Sequence, residues 1–252
     1  MRNFVLLREN EDEEDCLRTL NLSKIQKTRC AATGFSFLII IFLRIAPNHN
    51  YPFSAHRAII HLSEVIAMRI LCFGDSNTYG FDPRGYFGDR YGAEDRWVDL
   101  LAKQTGYAVI NAGINGREIP HGSYTSPSLH ERIPSDILLV MLGTNDLLQG
   151  ASAEEVAGRM EFFLRQQLPR FRQIILVAPP PMKRGAWVPT DTLVTQSFQL
   201  AEEYKLLAEK LNILFMDTRQ WNIELAFDGV HFTEAGHHSF ANHLIDVIPQ
   251  AN

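Results

Sequence analysis

From Met68 onward, short apolar runs alternate with amphipathic stretches, and this alternation restricts the possible folds more than any other feature of the sequence. The apolar runs fall at residues 70–73, 107–111, 136–142, 173–178 and 213–216. The third run is apolar at every position from Ile137 to Leu142, which is typical of a strand buried on both faces. Strands that alternate with helices predict an α/β domain with three α/β/α layers around a parallel sheet.

The amphipathic stretches predict helices, and several of their ends carry recognisable capping residues. The predicted helices cover residues 95–104, about 152–168, 195–211 and about 233–247. Gly106 is suited to end the first helix because glycine adopts the left-handed conformation easily. Ser152 and Glu155 form a capping-box pattern at the start of the second helix, and Thr233 can cap the last one.

Residues 1–67 lack this alternation. Their apolar stretch at 35–43 is much shorter than the roughly 20 residues of a membrane helix. It is similar to the apolar part of a signal peptide, but an acidic cluster at 9–15 and its late position argue against one. We interpret 1–67 as an N-terminal extension, either an over-extended start or a poorly ordered leader, and 68–252 as the working domain. A start near Met68 leaves no export signal and predicts a cytoplasmic protein.

Composition excludes several classes of function. The net charge of −5 provides no basic field for nucleic acid or an anionic membrane surface. The three cysteines show no Cys-x-x-Cys spacing, and Cys72, inside the first predicted strand, is expected to be a small buried hydrophobic residue. We find no phosphate-binding loop, dinucleotide fingerprint or zinc-hydrolase motif. We therefore expect no cofactor, no metal and no stable membrane insertion.

The residues that carry chemistry follow the predicted strands. Ser76 comes after the run at 70–73, and the stretch Asp228-Gly229-Val230-His231 comes after the last run. A serine becomes a good nucleophile when a histidine takes its proton and a carboxylate orients that histidine. Gly113 and Asn145 follow two other strands and offer a backbone N–H and an uncharged amide as oxyanion donors. Because ligands bind at the carboxyl ends of parallel strands, we expect these groups to meet at one edge of the sheet.

Each of these residues also has a simpler interpretation. Ser76 fits a turn or a helix cap, Asp228 an Asp-Gly turn, and Gly113 an ordinary turn. His231 fits a surface histidine, because the C-terminal region is rich in histidine. Three further histidines fall on the predicted C-terminal helix and are interpreted as solvated residues and not as metal ligands: His237, His238 and His243.

Four blocks, in order, resemble the SGNH (GDSL-type) hydrolase superfamily. They lie at residues 73–77, 111–113, 143–146 and 228–232. Arg96-Trp97, the prolines at 179–181 and the residues at 233–235 resemble its arylesterase and acyltransferase branch. The resemblance implies a flavodoxin-like parallel sheet of five strands. Asn77 stands where the namesake motif carries leucine, and we interpret it as a subfamily mark with no chemical contribution.

The resemblance also implies the role of each site residue. Ser76 is the expected nucleophile, His231 the general base and then acid, and Asp228 the group that orients His231. The backbone N–H groups of Ser76 and Gly113 and the side chain of Asn145 form the expected oxyanion hole. Asp75 and Asp146 are interpreted as structural carboxylates, because a charge beside a developing oxyanion would raise the barrier.

These roles predict a serine ester hydrolase that acts through an acyl-enzyme on aryl or short-chain esters. An alcohol that competes with water would make it an acyltransferase. The alternatives left open are a carbohydrate acetylesterase, a lysophospholipase or thioesterase, and a catalytically silent α/β ligand-binding module. Tyr79 and Phe81 are expected to line the substrate pocket, and Trp97 fits either that pocket or the core. The branch can assemble into homo-oligomers, but the sequence reveals no interface.

Overall fold

The computed structural model describes residues 38–42, 57–61, 68–85, 89–121 and 133–248. The chain divides into two units, Met1–Ile66 and Ala67–Asn252. In the first unit, β1 (Leu38–Phe42) and β2 (Arg57–His61) pair in antiparallel fashion. The remainder of the predicted extension 1–67 lies outside the described residues. Its interpretation as an over-extended start or a leader stays a prediction.

The second unit contains the parallel sheet that the sequence predicts. In chain order its strands are β3 (Arg69–Gly74), β4 (Phe81–Asp82), β5 (Asp89–Arg90), β6 (Ala108–Gly113), β7 (Ile137–Met141), β8 (Gln173–Val177) and β9 (Leu214–Met216). Five of them form one sheet in the order β6-β3-β7-β8-β9, and every pairing in it is parallel. β4 and β5 form a separate antiparallel pair. The flavodoxin-like fold class is confirmed.

The helices of this unit are α1 (Ser76–Tyr79), α2 (Trp97–Thr105), α3 (Thr144–Leu148), α4 (Ala153–Gln167), α5 (Asp191–Leu211) and α6 (Glu234–Val247). The predicted capping box between Ser152 and Glu155 is present at the start of α4. Gly106 ends α2 in the left-handed conformation, and the Thr233 side chain accepts a hydrogen bond from the Gly236 N–H at the start of α6. Within the described ranges, no helix combines the length and apolar character needed to cross a membrane.

The side chains of the sheet alternate between two separate cores. Leu71 and Phe73 of β3 belong to one hydrophobic cluster, whereas Ile70 and Cys72 belong to the other. The first cluster includes residues of α4 and α5, and the second includes residues of α2 and α6. Successive side chains of a strand point to opposite faces, so burial of both faces produces an uninterrupted apolar run. The predicted three-layer arrangement and the burial of Cys72 are confirmed.

One of the histidines interpreted as solvated is in fact buried. His237 has no exposed surface, and its ring lies 5.2 Å from the rings of both Tyr91 and Phe232. Neither of its ring nitrogens has a hydrogen-bond partner among the described residues. Burial lowers the pKa of His237 to about 3, helped by the charges of His238, Arg96 and His231. The described part of the chain contains no group of three or more His, Cys, Asp or Glu side chains placed to hold a metal ion.

This histidine is expected to make stability depend on pH. Its pKa is about 3 in the folded chain against an ordinary value of 6.5, so between these values only the unfolded chain binds the proton. The free energy of unfolding should therefore fall as the pH drops below 6.5, by up to about 1.4 kcal/mol for each pH unit. In urea unfolding at pH 6.5 and pH 4.5, His237→Leu should remove this part of the slope. His121→Leu, at an exposed position that does not act on His237, is the control, and equal flattening in both variants would contradict the assignment.

Candidate active site

The residues that the sequence singles out follow the carboxyl ends of the parallel strands. Ser76 comes after β3, Gly113 ends β6, Asn145 follows β7, and Asp228 and His231 lie beyond β9. From β3 the chain adds β6 on one side and then β7 on the other, so the strand order reverses at β3. In open parallel sheets, ligands bind in the crevice that such a reversal leaves at the strand ends.

A continuous hydrogen-bonded chain joins Ser76, His231 and Asp228. Ser76 Oγ lies 2.9 Å from His231 Nε2, and His231 Nδ1 lies 2.7 Å from Asp228 Oδ2. Because an ionised carboxylate only accepts, it holds the proton on Nδ1 and leaves Nε2 to accept the proton of the Ser76 hydroxyl. All three residues are buried. The arrangement can therefore deprotonate a serine as it attacks.

The Asp-Gly turn indicated by the sequence also orients the carboxylate. Asp228 Oδ1 accepts hydrogen bonds of 2.9 Å from the N–H groups of Val230 and His231. Gly229 has φ +81°, a left-handed conformation that glycine adopts without strain. Burial raises the pKa of the Asp228 carboxyl, but hydrogen bonds from the His231 side chain and the two N–H groups outweigh burial, so the pKa lies below its ordinary value. The turn and the orienting carboxylate are thus compatible roles of one residue.

Asp75 fixes the loop that carries Ser76. Its Oδ1 accepts a hydrogen bond of 3.0 Å from the Asn77 N–H and so caps α1. Burial raises the pKa of Asp75 to about 6, and this rise is opposed by the Asn77 hydrogen bond and by the charges of His231 and Arg117. The contacts of Asp75 agree with its interpretation as a structural carboxylate.

The expected oxyanion donors differ in their availability. The Ser76 N–H lies in the first turn of α1, where N–H groups have no partner within the helix. Asn145 Nδ2 donates one hydrogen to the Arg117 carbonyl at 3.0 Å, which holds the amide and leaves its second hydrogen for a ligand. The Gly113 N–H instead donates to Asn111 Oδ1 at 2.9 Å. Gly113 therefore already has an internal acceptor, unlike the free donor that was expected.

The glycine at 113 is required by packing. A Cβ at this position would overlap the backbone of Thr78 and Tyr79 in α1. Asn111 Nδ2 also donates to the Thr78 carbonyl at 2.8 Å, which ties β6 to the helix that begins with Ser76. The need for glycine thus comes from the close approach of two backbones and not from a turn.

Asp146 is fully buried and supports the segment that orients Asn145. Its carboxylate accepts hydrogen bonds from the Ile119 N–H at 3.1 Å and from Arg159 Nη1 at 2.8 Å. Burial raises the pKa of Asp146, opposed by these two bonds and by the charge of Arg159. Its oxygens are occupied by structural partners, as its interpretation requires.

Two aromatic rings, Phe81 and Trp187, contact the imidazole of His231 and are called the aromatic rim below. Their ring centroids lie 4.6 Å and 4.9 Å from the centroid of His231. Trp187 is 51% exposed, so part of its indole is accessible to a ligand. Phe81, an expected pocket residue, lies beside the imidazole of His231.

Sequence analysis missed Trp187. This residue lies in the segment after β8, and its N–H donates to the Asp228 carbonyl at 3.0 Å. The Lys183 N–H donates to the Gly229 carbonyl at 3.0 Å, and a Cβ on Gly229 would overlap the Lys183 carbonyl oxygen. The segment therefore packs backbone to backbone against the turn that carries Asp228 and His231. A tryptophan in a loop rich in proline and glycine, beyond a strand end, was the available signal.

The rings of the other two expected pocket residues, Tyr79 and Trp97, make different contacts. The ring of Tyr79 packs against the Arg90 guanidinium, 4.3 Å from its centroid. Trp97 has no exposed surface and packs edge-on against Phe240 in the core. Its indole Nε1 donates to the Asn77 carbonyl at 2.9 Å. The pocket-lining interpretation of Trp97 is wrong because burial leaves it no surface to offer a substrate.

Asn77 is the second residue whose contribution sequence analysis missed. Its side chain hydrogen bonds to the Val230 carbonyl and to the Phe232 N–H, on either side of His231. The interpretation of this position as a mark without chemical contribution does not account for these contacts. No periodicity or spacing in the sequence indicates a bond that spans 155 positions.

Comparison with known proteins agrees with this architecture. The model of the GDSL-like Lipase/Acylhydrolase family matches residues 72–238. The solved structure of an aryl esterase from M. smegmatis is 26% identical, covering 72% of this chain and 100% of that chain with a TM-score of 0.62. A carbohydrate acetylesterase family member from Sinorhizobium meliloti is 27% identical, covering 72% and 97% of the two chains with a TM-score of 0.61.

A third solved structure is a member of the lipolytic protein G-D-S-L family from Veillonella parvula. It is 25% identical and covers 72% of this chain and 98% of that chain with a TM-score of 0.56. A search of curated proteins returned no match. The family model covers more than half of the chain, and the esterase structures share its fold. The chain therefore belongs to the GDSL-like (SGNH) lipase and acylhydrolase family and is a hydrolase that acts on ester bonds.

Proposed function

We propose that the protein hydrolyses esters of small carboxylic acids with aryl or short alkyl alcohols, through an acyl-enzyme on Ser76. The observation that carries the proposal is the chain of hydrogen bonds from Ser76 Oγ through His231 to Asp228, at 2.9 Å and 2.7 Å. A serine hydroxyl bonded to an imidazole that a carboxylate orients is the arrangement that activates serine. Similarity to the M. smegmatis aryl esterase supports the same substrate class.

The proposed reaction has two stages. Ser76 Oγ attacks the ester carbonyl carbon while its proton passes to His231 Nε2, and Asp228 stabilises the imidazolium. His231 then protonates the leaving oxygen, the alcohol departs, and the acyl group stays on Ser76. A water molecule attacks this new ester by the same proton route. The carboxylic acid leaves and the serine is regenerated.

The oxyanion of each stage needs donors that are held in place and have no competing acceptor. The Ser76 N–H and the second amide hydrogen of Asn145 are the main donors in this proposal. The Gly113 N–H can contribute only by sharing its hydrogen with Asn111 Oδ1, 2.9 Å away. We therefore assign Gly113 the smaller share of the oxyanion stabilisation.

The aromatic rim favours a substrate whose alcohol portion is aryl or apolar. His231 must reach the leaving oxygen to protonate it, so the alcohol portion of the ester departs beside this imidazole. Phe81 and Trp187 contact the same imidazole and offer apolar surface at that point. Aromatic pairs prefer offset or edge-to-face contacts with centroids roughly 4.5 to 7 Å apart, which an aryl leaving group could make here.

A carbohydrate acetylesterase is the second candidate. The similarity to the S. meliloti carbohydrate acetylesterase family member favours it, and the half-exposed Trp187 leaves room for an alcohol larger than phenol. Initial rates on p-nitrophenyl acetate, p-nitrophenyl octanoate and acetylated xylo-oligosaccharides, compared at one enzyme concentration, separate the candidates. We expect the highest kcat/KM on p-nitrophenyl acetate. A clear preference for the sugar acetate would establish the second candidate, and a preference for octanoate would contradict both.

Acyl transfer is the other outcome open to the proposed acyl-enzyme. An alcohol in place of water would release a new ester and not the acid. Because Trp187 is half-exposed, water has access to the rim, and we expect hydrolysis to dominate in aqueous solution. The ratio of ethyl ester to free acid, formed from an acyl donor in aqueous ethanol, measures the transfer share.

Replacing the amide donor is expected to slow the reaction strongly. Asn145→Ala should lower kcat by about 10²- to 10³-fold, because a single oxyanion donor contributes roughly 3 to 4 kcal/mol to the barrier. KM should change much less, since the donor acts on charge that develops in the transition state. Asn242→Ala, an exposed amide on α6, is the matched control. An unchanged kcat in Asn145→Ala would remove this residue from the proposed oxyanion hole.

A further inference from the structure

We infer that Asn77 is a positioning residue whose side-chain amide holds the His231 loop at the reacting distance from Ser76. This inference rests on the proposed roles of Ser76 and His231. Asn77 directly follows Ser76 in α1, and its side chain is buried. Neither the family match nor the proposed mechanism assigns this residue a role.

The amide binds the chain on both sides of His231. Asn77 Nδ2 donates to the Val230 carbonyl at 3.1 Å, and the Phe232 N–H donates to Asn77 Oδ1 at 2.9 Å. The amide thus pairs with the two flanking peptide groups as a neighbouring strand would. With both peptides fixed, the loop cannot slide or rotate past α1 without breaking two buried hydrogen bonds.

Asn77, whose two side-chain bonds we call the clamp, is itself held in place by hydrogen bonds. The Asn77 N–H donates to Asp75 Oδ1 at 3.0 Å, and the Asn77 carbonyl accepts from Trp97 Nε1 at 2.9 Å. Trp97 has no exposed surface and is fixed in the core between α2 and α6. Asn77 therefore links the His231 loop both to the helix that carries Ser76 and, through Trp97, to the hydrophobic core.

The chemistry requires an amide at this position. One donor and one acceptor are needed on the same planar group. Leucine has a similar size but leaves the buried Val230 carbonyl and Phe232 N–H without partners. Ionised aspartate accepts from the Phe232 N–H but sets a charged oxygen against the Val230 carbonyl. Protonated aspartic acid restores both bonds, because its hydroxyl donates and its carbonyl accepts.

The test compares Asn77→Leu and Asn77→Asp with the wild-type enzyme over a range of pH. Displacement of a catalytic group by about 1 Å can cost on the order of 10²-fold in rate. We expect Asn77→Leu to lower kcat on p-nitrophenyl acetate by roughly 10- to 100-fold, with KM changed less than about threefold. We expect Asn77→Asp to be equally slow at pH 8 and to recover relative to wild type as the pH falls to 5.

The charged groups around the new carboxyl determine the pH at which Asn77→Asp recovers activity. Asp75 and Asp228 would raise its pKa, whereas Arg117 and protonated His231 would lower it. Because wild type and Asn77→Asp share the same His231 and Asp228, the ratio of their rates isolates the effect of residue 77. The ratio for Asn77→Leu should not change with pH, since leucine cannot titrate.

Thr218→Val is the matched control, because it removes a buried side-chain hydrogen bond of 2.9 Å, to the Ala178 carbonyl, that does not involve Ser76 or His231. It should lower the melting temperature and keep kcat. The inference is overturned if Asn77→Leu keeps kcat within twofold of wild type, or if the Asn77→Asp ratio is independent of pH. Should Asn77→Leu not fold, the pH dependence of Asn77→Asp still decides. If Ser76→Ala retains turnover, the proposed function has failed and not the clamp alone.

Discussion

Ser76→Ala is expected to lower kcat on p-nitrophenyl acetate by on the order of 10⁶-fold while leaving the fold intact. The Oγ that would attack the ester lies 2.9 Å from His231 Nε2, and alanine removes it without adding atoms to a buried site. With no nucleophile, only the oxyanion donors and substrate binding can still accelerate the reaction. Steady-state kinetics, together with circular dichroism to verify folding, measures the effect.

The matched control is a serine whose hydroxyl has a purely structural role. Ser152 accepts a hydrogen bond from the Glu155 N–H and caps α4. Ser152→Ala should cost about 1 kcal/mol of stability and keep wild-type turnover. Labelling by a fluorophosphonate probe should occur in wild type and Ser152→Ala and be lost in Ser76→Ala. Retained turnover in Ser76→Ala would contradict the proposed acyl-enzyme.

Asp228→Asn is expected to lower kcat by on the order of 10⁴-fold. The Asn carbonyl oxygen can still accept from the N–H groups of Val230 and His231, so the turn should survive. Its NH₂ group, however, would face His231 Nδ1, now 2.7 Å from a carboxylate oxygen. The imidazole would then carry its proton on Nε2 and could not accept the Ser76 proton.

The loss should appear in kcat with little change in melting temperature, because the amide has the size of the carboxylate. Asp217→Asn removes a carboxylate that is paired with Arg219 and serves as the control. If Asp228→Asn kept more than about a tenth of wild-type activity, Asp228 would not be the residue that sets the tautomer of His231.

Regular structure was predictable wherever burial imposed a period on the sequence. The strands at 137–141 and 173–177 were readable because both of their faces are covered, which makes every position apolar. The helices α1 and α3 were missed, since neither is long enough to show an amphipathic repeat. A side-chain cap from Asp75 defines α1, and such a bond leaves little pattern in a sequence.

Burial of a polar residue was the main source of error. His237 was interpreted as solvated, although it shares the inward face of α6 with Phe240, Ala241 and Leu244. The spacing of these positions, three, four and seven residues apart, was visible in the sequence and could have placed the histidine in the core. Trp97 fitted either the pocket or the core, and its place on the apolar face of α2 indicated the core.

The site was predictable as a set of strand ends but not as a set of contacts. The rule that ligands bind at the carboxyl ends of parallel strands brought Ser76 and His231 to one edge. Trp187 reaches His231 from a loop, and the amide of Asn77 reaches the same turn from a helix of four residues, and neither element shows a period in the sequence. The occupation of the Gly113 N–H by Asn111 likewise depends on side-chain geometry that no motif specifies.

The carboxylate of Asp228 and the imidazole of His231 are held together within one turn. Asp228 and His231 sit in one tight turn and are bonded to each other locally, whereas the bond to Ser76 joins positions 155 apart in the chain. A thermal fluctuation of the turn as a whole would leave the carboxylate and ring in register and change only their reach to the serine. Such a movement would also have to break the two hydrogen bonds that Asn77 makes on either side of His231, so the distance from the ring to Ser76 depends on a bond partner next to the nucleophile itself.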